Sequence, residues 1–223
     1  MSDYVIVTGA NRGIGLATSE AFAQAGLRVA MVGRNRDAID EQASRVGARA
    51  VYCDVSDALA IERAFKPLLA DWGAPRAVVH NAGIVRRASV ESATDDDWHA
   101  SLATNLSAPF YLTRTTLPIM RAAGRGRHVY IASISSTLGT PRLSAYCASK
   151  WGVIGLMKSV AEELRGSGLQ AMAVLPGSVD TDMLKGSGFA PQMTPADIAG
   201  TVLYAALHAP DAMNGSALEV FGP

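Results

Sequence analysis

The sequence predicts an α/β fold of the doubly wound type, with one seven-stranded, mostly parallel sheet and helices on both faces. Short apolar segments of strand-forming residues alternate with helical segments along the whole chain, which is typical of consecutive βαβ units. At 223 residues, 49% of them hydrophobic, the chain is long enough for one well-buried core. We therefore expect residues 1–223 to form a single domain.

The composition argues against several classes of protein. The 20 basic and 20 acidic residues balance, and no long run of like charge is present, so neither nucleic acid nor a membrane is an expected partner. Cys53 and Cys147 lie far apart and lack metal-ligand spacing, which argues against a disulfide framework and a metal site. Because there is no basic leader and no apolar run of about 18 residues, we expect a cytoplasmic protein.

The first element is a strand over residues 4–7 that leads directly into a glycine-rich turn. Glycines at this junction allow a tight turn, and the N-terminus of the helix that follows favours the charge of a diphosphate. The helix ends at Gly26. A purely structural turn is the alternative, but the position between strand and helix favours a dinucleotide-binding, Rossmann-type site. The residues expected to contact the cofactor here are Gly9, Asn11, Arg12, Gly13, Ile14 and Gly15.

The second strand, predicted over residues 27–32, ends in Gly33 and Arg34. Enzymes that use NAD usually carry an acid at this position for the ribose hydroxyls. Arg34 and Arg12 could instead hold a 2′-phosphate through their guanidinium groups. We therefore favour NADP(H) over NAD(H), with two solvated surface arginines as the alternative.

The alternation continues through two further strands that end in polar residues. A helix over residues 35–46 and a strand over 49–53 lead to Asp54 and Val55, which we expect near the adenine. The alternative is that Asp54 caps the next helix, predicted over 57–70. A strand over 77–80 then places Asn81, Ala82 and Gly83 at the same edge of the sheet, where such folds bind ligands.

A long helix opens at Thr94, with three aspartates in its first turn. Within this helix, Pro109 lies four residues after Asn105 and has no N–H to give to its carbonyl oxygen. We expect a kink there, and the free carbonyl of Asn105 to find another partner, such as water.

The next strand, predicted over residues 128–132, delivers Ser133 at its carboxyl end. The following helix begins at residue 144 or 145 and carries Tyr146 and Lys150 one turn apart, on the same face. A fixed cation beside a phenol makes its proton easier to remove. Such a pair arises by chance about one time in ten, so the other motifs must support it.

The last elements are two strands and a helix. A strand over residues 169–175 is closed by Pro176 and Gly177, Thr194 and Pro195 begin a helix that reaches about residue 208, and the final strand covers 216–221.

Taken in this order and at these spacings, the motifs resemble the classical short-chain dehydrogenase/reductase family over nearly the whole chain. Ser133, rather than Ser135 or Ser136, stands at the family's distance of thirteen residues before the tyrosine. The residues that carry the resemblance are Thr8, Gly9, Gly13, Gly15, Asn81, Ala82, Gly83, Asn105, Ser133, Tyr146, Lys150, Pro176, Gly177 and Thr181.

The resemblance implies hydride transfer between a nicotinamide and a carbonyl or secondary alcohol substrate. Tyr146 would act as general acid and base, and Ser133 would hold the substrate oxygen. Lys150 would bind the nicotinamide ribose and lower the pKa of the tyrosine, while Asn105 would hold a water that links Lys150 to solvent. The resemblance also adds these residues to the cofactor site: Tyr146, Lys150, Pro176, Gly177, Val179 and Thr181.

Several features leave the substrate open. His80 stands where many family members have an asparagine, and we interpret it as structural. Only twelve residues separate Thr181 from Thr194, which predicts a short cover and an open pocket. Within the family the chain is similar to 3-oxoacyl-thioester reductases, whose acidic carrier could meet three arginines unless these lie in a solvated turn: Arg121, Arg125 and Arg127.

Two other classes stay open at this point. One is a catalytically silent NADP-binding regulatory protein, and the other is a methyltransferase on a similar sheet. The retention of the serine, the tyrosine and the lysine argues against both. We expect a homodimer or homotetramer.

Overall fold

A computed structural model describes residues 3–222 and contains one sheet of seven strands in the order β3-β2-β1-β4-β5-β6-β7. Every neighbouring pair is parallel, so the predicted doubly wound fold is confirmed and the described sheet is wholly, rather than mostly, parallel. The strands are β1 (Tyr4–Thr8), β2 (Arg28–Gly33), β3 (Arg49–Tyr52), β4 (Ala77–His80), β5 (Gly126–Ile131), β6 (Leu169–Pro176) and β7 (Ala217–Val220).

Helices cover both faces of this sheet. Their bounds are α1 (Gly13–Gln24), α2 (Arg36–Val46), α3 (Ala58–Trp72), α4 (Asp95–Leu102), α5 (Ala108–Ala123), α6 (Ser144–Glu163) and α7 (Pro195–Leu207).

Successive residues of β1 enter two separate hydrophobic cores. Ile6 packs in the core that contains Phe65 of α3 and residues of α5 and α6. Val7 lies in the other core, with Phe22 of α1 and Val202 of α7. This burial on both faces explains why the central strands are almost continuously apolar. The strand order reverses between β1 and β4, so their carboxyl ends leave a crevice where ligands bind in such folds.

The long helix after Thr94 is interrupted at the place that the proline predicts. Thr94 and Asp97 form a capping box at the start of α4. The segment Ala103–Ser107 is a π-helical turn, closed by a hydrogen bond from the N–H of Ala108 to the carbonyl oxygen of Ala103. The regular α-helix is thus interrupted just before Pro109, whereas a kink and a free carbonyl at Asn105 stay predictions.

Of the three arginines considered for a carrier or a solvated turn, Arg127 lies in neither setting. Gly126 and Arg127 belong to β5, and the Arg127 side chain is buried. Its guanidinium donates to the carbonyl oxygens of Ala205, at 3.0 Å, and Ala209, at 2.7 Å, at the end of α7. These carbonyls lack intrahelical donors, so Arg127 caps a helix rather than meeting an acidic carrier.

Candidate active site

The glycine-rich turn after β1 requires glycine for two reasons. Gly9 and Gly13 have φ values of 63° and 53°, in the left-handed region. Gly15 leaves no room for a side chain, because a Cβ there would lie 2.3 Å from the carbonyl oxygen of Gly9. The close contact of turn and helix therefore depends on these residues.

Hydrogen bonds join this turn to the segment that follows β4. The Thr8 hydroxyl accepts from the main-chain N–H groups of Asn81 and Ala82, both at 3.0 Å. The Asn81 side-chain amide donates to the carbonyl oxygens of Thr8, at 2.9 Å, and Gly9, at 3.2 Å. Asn81 thus fixes the shape of the turn from the neighbouring strand.

A cavity of about 810 Å³ opens at the carboxyl ends of β1, β2, β3 and β4. This volume lies in the range of cofactor sites. Twelve of the residues predicted to contact the cofactor line it: Gly9, Asn11, Arg12, Gly13, Ile14, Arg34, Asp54, Val55, Asn81, Ala82, Gly83 and Thr181.

The other six residues predicted for the cofactor site lie outside the cavity wall, and two of them, Tyr146 and Lys150, are described below. Gly15 is buried beneath the turn, and Pro176 is the last residue of β6. Gly177 packs near Phe221, and Val179 forms an isolated bridge with Met193. The motif after β6 therefore supports the wall from behind, and only Thr181 reaches the cavity.

Several lining residues were not predicted from the sequence. Ile84, Val85 and Arg86 continue the wall beyond Gly83, as the rule that ligands bind at carboxyl strand ends allows. Met183 and Lys185 come from the short segment after Thr181, which carries no recognisable motif.

The charged groups near the cavity form two sets. Arg34 is exposed next to Asp54, whose pKa is lowered chiefly by a hydrogen bond from Ser56 and also by the Arg34 charge. On the opposite wall, Arg12 and Lys185 both pair with Asp182, at 3.1 Å and 2.6 Å. Arg34 is therefore more available to an added phosphate than Arg12.

Ser133 and Tyr146 come together beyond the end of β5. Ser133 caps a short 3₁₀ turn, and its hydroxyl accepts from the N–H of Ser135 at 3.1 Å. Tyr146 lies in the first turn of α6, with its phenol buried. Burial raises the pKa of this phenol, while Ser133 and, more weakly, the charge of Arg87 act to lower it. The structure thus places the predicted serine, and not its neighbours, beside the tyrosine.

Lys150 lies one turn after Tyr146 but its ammonium points elsewhere. The Nζ atom donates to the carbonyl oxygen of Ile131 at 2.7 Å and lies 5.8 Å from the centre of the Tyr146 ring. Burial lowers the pKa of Lys150 to about 8. Because burial of the phenol outweighs its neighbours, the pKa of Tyr146 is raised, and a lowering of this pKa by Lys150 stays a prediction.

The side chain of Asn105 positions two parts of the site. Its Oδ1 atom accepts from the N–H of Ile84 at 2.8 Å, and its Nδ2 atom donates to the carbonyl oxygen of Ile84 and to Ser149 Oγ, both at 3.0 Å. A Cβ on Gly83 would lie 3.3 Å from Asn105 Oδ1 and 3.7 Å from Lys150 Nζ. The π-helical turn thereby connects the cavity wall to α6.

Met183 separates the cavity from the tyrosine. Its sulfur lies 4.0 Å from the Tyr146 hydroxyl, and its carbonyl oxygen accepts from an Arg87 Nη atom at 2.7 Å. Met183 is 37% exposed, so the short segment does not seal the site from solvent.

His80 belongs to a buried cluster away from the cavity. Its Nε2 atom lies 3.0 Å from Nδ1 of His128, and its ring stacks on Tyr130 with 4.4 Å between centroids. Burial lowers the pKa of both histidines, to about 3 for His128. This environment agrees with the structural interpretation of His80.

Within residues 3–222, no group of three or more histidine, cysteine or acidic side chains is arranged to hold a metal ion. None of the helices described is long and apolar enough to cross a bilayer.

Comparison with known proteins agrees with this geometry. The family described as short chain dehydrogenase matches residues 3–190. D-threitol dehydrogenase of Mycolicibacterium smegmatis is 36% identical over 183 residues, covering 80% of this chain and 70% of the relative. The 3-oxoacyl-[acyl-carrier-protein] reductase MabA of Mycobacterium tuberculosis is 33% identical over 234 residues, covering 100% and 92% of the two chains.

A third relative, the 3-oxoacyl-[acyl-carrier-protein] reductase FabG of Escherichia coli, is 32% identical over 182 residues, covering 81% of this chain and 75% of its own length. The family matches most of the chain, and both the sheet order and the glycine turn agree with that match. This chain belongs to the short-chain dehydrogenase family of oxidoreductases.

Proposed function

We propose that this protein is an NAD(P)-dependent enzyme that interconverts a carbonyl group and a secondary alcohol, with Tyr146 as general acid and base. One observation carries the proposal. The buried phenol of Tyr146, with Ser133 beside it, lies 4.0 Å from the sulfur of Met183, which lines the same cavity as the glycine turn.

The residues of the cavity fit a dinucleotide. Within residues 3–222, α1 begins without a side-chain cap and without an acid in its first turn, so its main-chain N–H groups are available to a diphosphate. Asp54 and Val55 would contact the adenine, and Asn81 to Gly83 would line the path toward the nicotinamide. When bound, the cofactor supplies or accepts the hydride.

The state of Tyr146 suits proton donation. Because burial raises its pKa, the phenol carries its proton at neutral pH. It can give this proton to the oxygen of a carbonyl group that is being reduced. The Ser133 hydroxyl would hold that oxygen in place. In the oxidative direction the same phenol must first lose its proton, so this direction should gain from higher pH.

Lys150 and Asn105 would support the proton path. With a pKa of about 8, Lys150 is mainly charged at pH 7 and can donate to ribose hydroxyl groups. Asn105 is a positioning residue, because its side chain holds Ile84 and Ser149. A water on the main-chain carbonyl of Asn105 remains part of the proposal.

We favour NADP(H) over NAD(H) as the cofactor. Arg34 is exposed at the carboxyl end of β2, while the Arg12 guanidinium already pairs with Asp182. Arg34 would therefore provide most of the binding to a 2′-phosphate.

The relatives suggest two candidate substrate classes. The named activities of the relatives include reduction of 3-oxoacyl groups on acyl carrier protein and oxidation of a sugar alcohol. A carrier could not use Arg127, which is buried. Arg121 and Arg125 donate to the Glu163 carbonyl and to Asp3, so they offer weaker support than the sequence suggested. A silent regulatory protein is the remaining alternative.

The assembly and location are also proposals. Phe110 of α5 and Trp151 of α6 are 45% and 54% exposed, which supports association into a homodimer or homotetramer. Cys53 and Cys147 are free thiols, which supports the proposed cytoplasmic location. A single domain over residues 1–223 is part of the same proposal.

The test is a panel of ketones, aldehydes, 3-oxoacyl thioesters and polyols, with NADPH or NADP⁺ followed by absorbance. We expect turnover with at least one class and saturable NADPH binding by fluorescence. NADPH binding without turnover would favour the regulatory alternative, and absence of binding with both NADPH and NADH would refute the proposal.

A further inference from the structure

We propose that Arg87 selects substrates that carry a carboxylate, by binding that group beside the Tyr146 hydroxyl. The inference rests on the carbonyl–alcohol chemistry proposed above and adds a substrate class to it. Four observations support it: the position of Arg87, its unpaired charge, its free donors and the residue that it contacts.

Two contacts hold the Arg87 segment against the catalytic residues. The N–H of Ala88 donates to the carbonyl oxygen of Arg142 at 3.1 Å, and Ala88 forms a bridge with Leu143, directly before α6. On the other side, an Arg87 Nη atom donates to the carbonyl oxygen of Met183 at 2.7 Å. Arg87 therefore lies between the start of α6 and Met183, whose sulfur contacts the Tyr146 hydroxyl.

The charge of Arg87 acts on the tyrosine and is not neutralised nearby. It is one of the groups that lower the pKa of Tyr146. Two arginines that line the cavity, Arg12 and Arg86, pair with Asp182 and Asp97. Among the ion pairs of residues 3–222, none includes Arg87. An unpaired guanidinium beside a reacting group is a binding site for an anion.

The free donors of Arg87 match a carboxylate. A guanidinium has five N–H donors, and in the part of the chain described here the Met183 carbonyl is its one acceptor. Its planar fork binds a carboxylate through two parallel hydrogen bonds. A carboxylate of a small oxo acid would meet these donors while its ketone oxygen meets Tyr146 and Ser133, after the Met183 side chain moves aside.

The test compares each oxo acid with its methyl ester, which keeps the ketone and removes the charge. The probes are pyruvate, acetoacetate and levulinate and their methyl esters, each measured with NADPH. We expect kcat/KM to favour the acid in at least one pair. Arg87→Met removes the proposed partner of the carboxylate, so it should lower kcat/KM for that acid by about 10- to 100-fold more than kcat/KM for its ester.

Two variants serve as controls. Arg87→Lys keeps the charge and should retain part of the preference. Arg86→Met removes a neighbouring charge and should leave the ratio of acid to ester unchanged. Equal kcat/KM values for acids and esters in the wild-type enzyme, or an equal loss of the ratio in Arg86→Met, would overturn the assignment.

A binding measurement separates this inference from the proposed function. Calorimetric titration of the NADPH-loaded protein with each acid does not require turnover. Loss of acid binding in Arg87→Met, with no turnover in any variant, would support the carboxylate site and favour the regulatory alternative over the proposed reaction. Turnover of esters, with no binding of acids by the wild-type protein, would do the reverse.

Discussion

Lys150 donates its closest hydrogen bond to the main-chain carbonyl oxygen of Ile131, at 2.7 Å, and not to the hydroxyl of Tyr146. The ammonium is buried between the last residues of β5 and α6, which costs hydration energy that one carbonyl only partly replaces. Its pKa therefore falls from 10.5 to about 8, close to the pH at which the enzyme would be assayed.

This pKa predicts that cofactor affinity depends on pH. If the ammonium holds the nicotinamide ribose, NADPH binding should weaken above pH 8 by up to about tenfold per pH unit, because the charged form is then lost. Fluorescence titrations from pH 6 to 10 would measure the change. In Lys150→Met the step should be absent, whereas Lys158→Met, an exposed lysine on α6, should keep it. A step that survives in Lys150→Met would contradict the assignment.

The same shift has a defined sign for stability. The folded pKa of Lys150 lies below its unfolded value, so the charged lysine opposes folding at neutral pH. The neutral form of Lys150 favours folding, so its contribution to stability is fully present above about pH 10.5. This contribution is lost as the pH falls through about 8. Retention of a lysine at this cost is consistent with a functional role.

The second prediction concerns the reacting phenol. Tyr146→Phe removes one oxygen from a buried site and should lower kcat by about 10²- to 10⁴-fold, the usual contribution of a general acid. NADPH affinity should change little, because the ring remains. Tyr204→Phe is a matched control, since that phenol is exposed on α7 and contacts Met213. Unchanged turnover in Tyr146→Phe would remove the tyrosine from the mechanism.

The third prediction tests the choice of cofactor. Arg34→Ala should weaken NADPH binding by about 10- to 100-fold, the worth of a charge-assisted hydrogen bond, and leave NADH binding nearly unchanged. Arg36→Ala removes an exposed charge two residues away, whose guanidinium stacks on Tyr52, and should have a smaller effect. An NADPH preference that is absent in the wild type, or that survives in Arg34→Ala, would show that Arg34 does not bind the 2′-phosphate.

Local sequence patterns predicted the fold well, because each element carries its own signal. The apolar run of β1, the glycines after it and the capping box at Thr94 all involve neighbouring residues. Arg127 shows where this reasoning fails. Gly124 and Gly126 come just before it and are typical of a turn, but its hydrogen-bond acceptors lie 78 and 82 residues further along the chain. No local pattern contains that information.

The same limit applies to the candidate site. Spacing predicted Ser133, Tyr146 and Lys150, since these residues occur within two adjoining elements. It could not predict that the Lys150 ammonium faces Ile131, nor that burial raises the pKa of Tyr146. Both depend on how β5 and α6 pack, and the contact of Arg87 with Met183 joins residues 96 apart in sequence.

The fourth prediction concerns the buried pair of His80 and His128. Both have folded pKa values below the ordinary value of 6.5, so each stays neutral while the unfolded chain takes up a proton. The contribution of the pair to the free energy of unfolding should therefore be fully present above about pH 6.5. It should fall as the solution becomes more acidic, down to about pH 3 for His128. Two such groups together give a slope of up to about 2.7 kcal/mol per pH unit.

Denaturant unfolding between pH 4.5 and 7.5 would measure this slope in the wild type and in two variants. His80→Asn removes one of the two buried imidazoles, so the slope should fall by about 1.4 kcal/mol per pH unit even if the variant is less stable overall. His99→Asn is the control, because this side chain is exposed on α4 and its removal should leave the slope unchanged. Equal slopes in the wild type and His80→Asn would mean that the buried pair does not cause the loss of stability in acid.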